Sequence, residues 1–437
     1  PGQPPAGPGQ APAGGKLSGH GARLARSHAT GTGPLLSAEV TRAMLAVRLN
    51  QLGAGGAGVR PAVMKSLEAV LNGGAVPAVH AGATIGTGDL TPLAELSLAL
   101  AGEGEWHPEP ALLDLPQPLE LDAGDILALM SSNARTLGEA ALASVDAAGL
   151  LAAADTVASL SLMAVSGQVE ALDARVQEAK PHPGQVEAAA RLRRLVGAGV
   201  AAPARLQDPI SFRCLPQVHG AAIDALARLD QVLGVELNAA AENPVLVPGQ
   251  DGRPGAALHN GNFHGVQVAL ALDTVRAALV QVGGLSVGRL AGLVDPEVTG
   301  LRRFLAGPDP GASGAMVLPY LAQDALADLR ALAHPVTLAP LVLSLGGEDH
   351  ASFAPSAARQ STAALRPLTV VVAAELVAAM RALRQLRRRP ATPAASVAYD
   401  RAAAVLPDDD RDRSLSADVD LAVGLVDRWR RDGARAP

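Results

Sequence analysis

The chain is poor in residues that often anchor a structure. It has one cysteine, Cys214, in 437 residues, so no internal disulfide can form and a reducing, cytoplasmic setting is expected. Aromatic residues number only eight (two Trp, two Tyr, four Phe), which leaves Ala, Leu and Val to fill most of any core. Positive charge is in deficit. The net charge of −6 argues against general nucleic-acid binding, which needs a basic surface. Uninterrupted apolar runs stop short of the roughly 18–20 residues needed to span a bilayer. Residues 369–380 come closest, but Glu375 breaks them, and no membrane partner is expected. The first residue is proline rather than methionine, so further residues are expected before it. The Pro/Gly/Ala-rich opening, residues 1–16, reads as a flexible arm or mobile loop and not as a signal peptide.

Against these shortages stand 49% hydrophobic and 18% charged residues, a balance that excludes a disordered chain. The 33 prolines are unevenly placed. None falls in 119–180, in 217–243 or in 255–295, and these gaps are where long helices fit, since a proline inside a helix costs about 3 kcal/mol. In the third gap Val268, Leu272, Val275, Leu279 and Val282 form one apolar helical stripe, with Asp273, Thr274, Arg276 and Gln281 off it. The fold class expected is all-α: an elongated bundle of long central helices with a loop-rich N-terminal cap. Its segments are an arm or loop (1–26), a cap (27–120), the central bundle (121–390) and a C-terminal helical segment (391–437). Arg381, Arg384, Arg387, Arg388 and Arg389 before Pro390 read as a solvated helix C-terminus. Glu348-Asp349-His350 holds metal-ligand residue types without partners at metal-site spacing, and no metal is expected.

Three polar, Gly- or Pro-punctuated segments precede apolar helical patterns. The first runs from Gly82 through Gly86-Thr87-Gly88-Asp89 to Leu96. It lacks the lysine of a phosphate-binding loop, and Thr87 or Asp89 is placed to cap the helix that follows. The second is Gln207-Asp208-Pro209-Ile210-Ser211-Phe212-Arg213-Cys214, and the third is His259-Asn260-Gly261-Asn262-Phe263-His264-Gly265. Loops that deliver Arg, Gln, Asn and His to helix ends are common parts of binding sites.

Taken in order, these segments resemble the histidine and aromatic amino acid ammonia-lyases and the related aminomutases. Ser27-His28-Ala29, Pro181-His182-Pro183-Gly184-Gln185, residues 236–238, Glu242-Asn243-Pro244 and Gly347-Glu348-Asp349-His350 extend the match from about Ser27 to near Leu425. The resemblance implies an all-α homotetramer whose active sites take loops from more than one subunit. It also implies removal of ammonia from an α-amino acid, or its migration. Because the β-proton is barely acidic and ammonia leaves poorly, such chemistry needs a strong electrophile and a placed base. In the family an Ala-Ser-Gly segment cyclises into a methylidene-imidazolone electrophile, and tyrosines carry protons.

This sequence departs from that pattern. Its electrophile segment is Gly86-Thr87-Gly88, so an imidazolone-type group would carry an ethylidene in place of the exposed methylene. The tyrosine of the Gln-Asp-Pro-Tyr motif is Ile210, and Tyr320 and Tyr399, the only tyrosines, lie outside family motifs. The other family tyrosine belongs upstream of Ser27, where residues 1–26 contain none. Met130 stands where the family has a substrate-binding asparagine, and Asn133, one helical turn on, is the candidate to reach the same space. The resemblance carries over Arg213 for the substrate carboxylate and Gln207 and Phe263 for the pocket. His28 and Glu348 match the histidine-specific branch and are the candidate bases in place of tyrosine. Three readings result: a carbon–nitrogen lyase or aminomutase for a histidine-like or aromatic amino acid, a degenerate scaffold that binds, regulates or co-assembles, or a different lyase reaction that needs no electrophile and uses Thr87 as a plain hydroxyl.

Overall fold

A computed structural model describes residues 19–107, 116–197, 205–338 and 341–433. Within them helices dominate, and the strands are two short antiparallel pairs: β1 (Val76–Pro77) with β2 (Trp106–His107), and β3 (Val245–Val247) with β4 (Ala256–Leu258). The all-α expectation holds. Of the expected arm, residues 1–18 lie outside the described residues. The remainder forms helix α1 (Gly19–His28).

The chain forms two compact units. One unit comprises Pro1–Leu142, Asp230–Leu272 and Pro335–Arg359, and the other comprises Ala143–Leu229, Asp273–His334 and Gln360–Pro437. In the first unit follow α2 (Ala38–Gly53), α3 (Pro61–Asn72), α4 (Leu90–Leu100), α5 (Ala123–Met130) and the start of α6 (Ala134–Ala164). Local chemistry sets their ends. The Ser37 hydroxyl accepts the Val40 amide at the start of α2, Pro61 opens α3, and Asp122 with Asp125 forms a capping box on α5. Helices α1, α4 and α5 pack on one another. Gly138 lets α6 approach α2, since a Cβ there would lie 2.8 Å from the Met44 nitrogen. Beneath them Arg48 is fully buried, 2.8 Å from Glu242 and donating also to the Ala128 carbonyl. Breaking such a pair typically costs about 3–5 kcal/mol, because one charge is left buried alone.

In the second unit the core is again polar at its centre. Glu375, buried in the Ala354–Gln385 helix, receives Arg289 at 2.7 and 2.8 Å and the hydroxyls of Ser161 and Ser286 at 2.7 and 2.5 Å. The residue that interrupts the longest apolar run is therefore a satisfied anchor of this unit. His219 pairs with Asp155 at 2.7 Å, both buried.

The three proline-free gaps do hold long helices, among them α6, Leu215–Glu236 and Val266–Leu293. All five stripe residues of the last are buried. Asp273 and Arg276, expected off the stripe, are buried too, because they pair with each other. The longest helix, Ala354–Gln385, runs straight through Pro367. Ala363, whose carbonyl loses its partner there, is exposed, so water can satisfy it.

Two further expectations are corrected. Arg381 and Arg384 are not solvated: Arg381 is buried and donates to the carbonyls of Leu305 and Asp410, and Arg384 donates to those of Pro407 and Leu406. Three stretches are also long and apolar enough to cross a membrane by length and composition, namely Ala123–Ala164, Val266–Leu293 and Ala354–Gln385. Counting unbroken apolar runs missed them, because Ala-rich helices reach that hydropathy with small polar residues interspersed. Their most apolar windows are 83%, 56% and 83% buried within the protein, so its own interior accounts for much of that character.

Candidate active site

In the first unit a cavity of ≈ 290 Å³ is lined by His28, Thr87, Gly88, Met130, Phe263 and Glu348, with Leu24, Leu90 and Leu127 among its apolar walls. Six residues singled out by sequence thus meet in one place. In its lining the Thr87 hydroxyl donates to Glu348 Oε2 at 2.9 Å.

The Gly86-Thr87-Gly88 turn is held on every side. Gly86 and Gly88 have φ of +94° and +108°, conformations in which a side chain is strained. A Cβ on Gly86 would lie 2.1 Å from Ser352 Oγ, so the family's alanine does not fit this backbone. The Gly86 carbonyl accepts the Ser352 hydroxyl at 2.9 Å and the Gly265 amide at 3.2 Å. The Gly88 amide donates to Asn133 Oδ1 at 3.1 Å.

Asn133 does not extend the helix of Met130. The chain breaks at Ser131–Ser132, and Asn133 precedes α6. Its Nδ2 donates to the Phe263 carbonyl at 2.5 Å, so both ends of its amide are committed to the loops. The expectation that it replaces a substrate-binding asparagine gives way to a clamp between the electrophile segment and the Phe263 loop.

Asp89 opens α4, but its carboxylate does not cap that helix. It accepts instead the Thr136 amide (2.8 Å) and hydroxyl (2.9 Å), pairing an otherwise unpaired first-turn amide of α6, and the Thr84 hydroxyl (2.9 Å). Around it lies a buried charge cluster that the sequence did not announce. Arg135 sits 2.7 Å from Glu139, close enough for an ion pair though not aligned for a hydrogen bond. Burial pushes the Asp89 and Glu139 carboxyls up, against the pull of Arg135, and pushes the Arg359 guanidinium down.

His28 Nδ1 lies 2.9 Å from the Leu24 carbonyl and 3.0 Å from the Ser27 hydroxyl. With that hydroxyl donating to Leu24 O at 2.9 Å, both neighbours of Nδ1 accept, which places the proton on Nδ1 and leaves Nε2 a lone pair in the neutral ring. Gln207, Ile210 and Arg213 belong to the second unit. Gln207 is exposed, Ile210 is 57% exposed, and Arg213 is half-buried, its amide donating to the Pro209 carbonyl at 3.1 Å while its guanidinium has no hydrogen bond or ion pair among the described residues. No tyrosine lines the cavity among the described residues.

The donor set fits an imidazolone formed from residues 86–88. The carbonyl to be attacked has two donors, the attacking amide has an acceptor, and the hydroxyl to be lost meets a carboxylate. Sequence reasoning missed Ser352 and Leu127. No motif marks either, and only the folded backbone brings Ser352 to Gly86.

Comparison with known proteins agrees with this geometry. The family model described as aromatic amino acid lyase matches residues 13–404. A histidine ammonia-lyase of Geobacillus thermodenitrificans (strain NG80-2) is 36% identical over 426 residues, covering 94% of this chain and 82% of that protein. The structure of the ergothioneine-degrading ergothionase from Treponema denticola superposes with a TM-score of 0.87 at 26% identity, covering 93% of this chain and 84% of that one. Tyrosine aminomutase from Streptomyces globisporus gives 0.86 at 29%, covering 94% and 84%. The chain belongs to the aromatic amino acid lyase family and is a carbon–nitrogen lyase of the ammonia-lyase and aminomutase kind.

Proposed function

We propose that this chain acts on a histidine-like or aromatic α-amino acid, with an electrophile made from Gly86-Thr87-Gly88. The observation that carries the reading is the Thr87–Glu348 hydrogen bond inside a cavity that also presents His28 and Phe263. Once formed, an imidazolone supplies a centre that draws electron density from the bound amino acid.

The other tasks fall to side chains. His28 Nε2, with its lone pair fixed by the Nδ1–Leu24 bond, takes the β-proton in place of the family's tyrosine. Glu348 holds a basic ring nitrogen or a proton in transit. Phe263 and the leucines give a flat ring an apolar wall and exclude water. Arg213 receives the carboxylate, a bidentate task suited to guanidinium. The family's homotetramer, in which more than one chain builds each site, gives a place to exposed Gln207 and Ile210 and to the Arg213 guanidinium, unpartnered among the described residues, and the setting is cytoplasmic.

Intact-mass analysis together with ammonia release from a panel of L-α-amino acids tests this. The expected result is a peptide spanning residues 86–88 lighter by two waters and turnover of histidine or an aromatic substrate. A substrate that yields a β-amino acid marks the aminomutase form. An unmodified peptide in folded protein with no ammonia release overturns the reading. It would favour the degenerate binding or co-assembling scaffold to which Ile210 and Met130 point.

A further inference from the structure

The Gly86 carbonyl oxygen is a buried acceptor that already has the surroundings of an oxyanion. Ser352 Oγ accepts the Ala354 amide at 3.2 Å and therefore turns its own proton to Gly86 O, 2.9 Å away. The Gly265 amide reaches the same oxygen at 3.2 Å. Ser352, Gly86 and Gly265 are all buried, so these donors act without competition from water. The neighbouring Phe353 amide holds the Ile85 carbonyl at 2.8 Å, while Phe353 itself has φ +54°, a strained value for a bulky residue. Backbone strain is thus spent to bring residues 352–353 against 85–86. The serine hydroxyl also fills the space that a methyl on residue 86 would need.

We propose that Ser352, with the Gly265 amide, forms an oxyanion pocket that drives ring closure of Gly86-Thr87-Gly88, so that Ser352 is a catalytic residue for making the electrophile. The inference rests on the reading above. The Gly88 nitrogen, its hydrogen held by Asn133 Oδ1, attacks the Gly86 carbonyl carbon. A carbon–nitrogen bond forms, and the carbonyl π electrons move onto the oxygen that Ser352 and Gly265 hold. That oxygen then leaves as water with the amide hydrogens of Gly88 and Thr87, giving a carbon–nitrogen double bond. A second water takes the Thr87 hydroxyl and its Cα hydrogen, leaving the exocyclic double bond. Two waters leave, and no oxidant or reductant is required.

The test follows the mass of freshly synthesised full-length chain in a cell-free translation, sampled over time, with circular dichroism to confirm folding. Wild type is expected to lose two waters. Ser352→Ala is expected to close at least tenfold more slowly, in line with losses of about 10²–10³ on removing one oxyanion donor. Ser352→Cys, which keeps the side-chain shape and a weak donor, should fall between them. It carries the test if the alanine variant fails to fold. Ser352→Ala, or in its place Ser352→Cys, closing at the wild-type rate overturns the role of Ser352 and leaves the electrophile reading standing. A wild-type chain that keeps both waters overturns both.

Discussion

At the scale of single residues, the site turns on a hydroxyl and an imidazole. Thr87 makes one side-chain hydrogen bond, to Glu348, and is only partly buried. Thr87→Val keeps its shape and removes the leaving group, so stability should change by no more than about 1 kcal/mol. Activity should vanish, and the segment should not shed the second water. Intact mass and a denaturant titration check both expectations. His28→Phe tests the base separately. Ring closure should proceed normally, since His28 touches none of residues 86–88 by hydrogen bond, whereas kcat should fall about 10²–10⁴-fold, the usual contribution of a general base. A variant that cyclises and still turns over at the wild-type rate would remove His28 from the proton pathway. These residues were legible in the sequence because each sits in a recognisable motif, His28 between Ser27 and Ala29 and Thr87 before Gly88-Asp89-Leu90. Ser352 and Arg135 were not, since their roles arise from what stands across from them in space.

At the scale of elements, the electrophile turn owes its position to α4 and α6. Asp89 ties the start of α4 to the first turn of α6, where the charge of Arg135 acts on Asp89 and pairs with Glu139 one turn along the same helix. The sequence showed a Gly-rich turn entering a helix. Propensity could not show that Asp89 would serve the wrong helix, because capping is decided by which unpaired amides lie within reach. The same limit explains Pro367, where burial of a long apolar helix outweighs the local cost of a proline. The cluster also has a consequence for pH. Burial raises the Glu139 carboxyl above its value in the unfolded chain, so the folded state holds its proton longer as pH rises. The stability that this proton holds is complete below the unfolded carboxyl value and is lost as pH climbs through the raised one. Glu139→Gln, which cannot ionise, should therefore gain stability relative to wild type between pH 4 and pH 7.5. Denaturant unfolding at both ends of that range measures the gap, and a constant or shrinking gain would show that Arg135 keeps Glu139 charged throughout.

At the scale of the whole molecule, the question is which chain supplies the carboxylate anchor. Thr87, His28 and Glu348 belong to one compact unit and Arg213 to the other. The Arg213 guanidinium makes no hydrogen bond or ion pair among the described residues, although the residue is half-buried, so its charge is not spent on holding its own surroundings. If each site takes Arg213 from a neighbouring chain, two inactive variants should repair each other. A Thr87→Val chain keeps its arginine, and an Arg213→Met chain keeps its electrophile segment. In mixed oligomers, some sites then combine the intact segment of one with the intact arginine of the other. Co-expressed under two affinity tags and purified through both, the mixture should release ammonia while each variant alone does not. If both groups come from one chain, every site in the mixture carries one lesion, and the doubly purified protein should stay as inactive as its parts. Activity in the mixture, absent from either parent, would place the arginine across a subunit boundary.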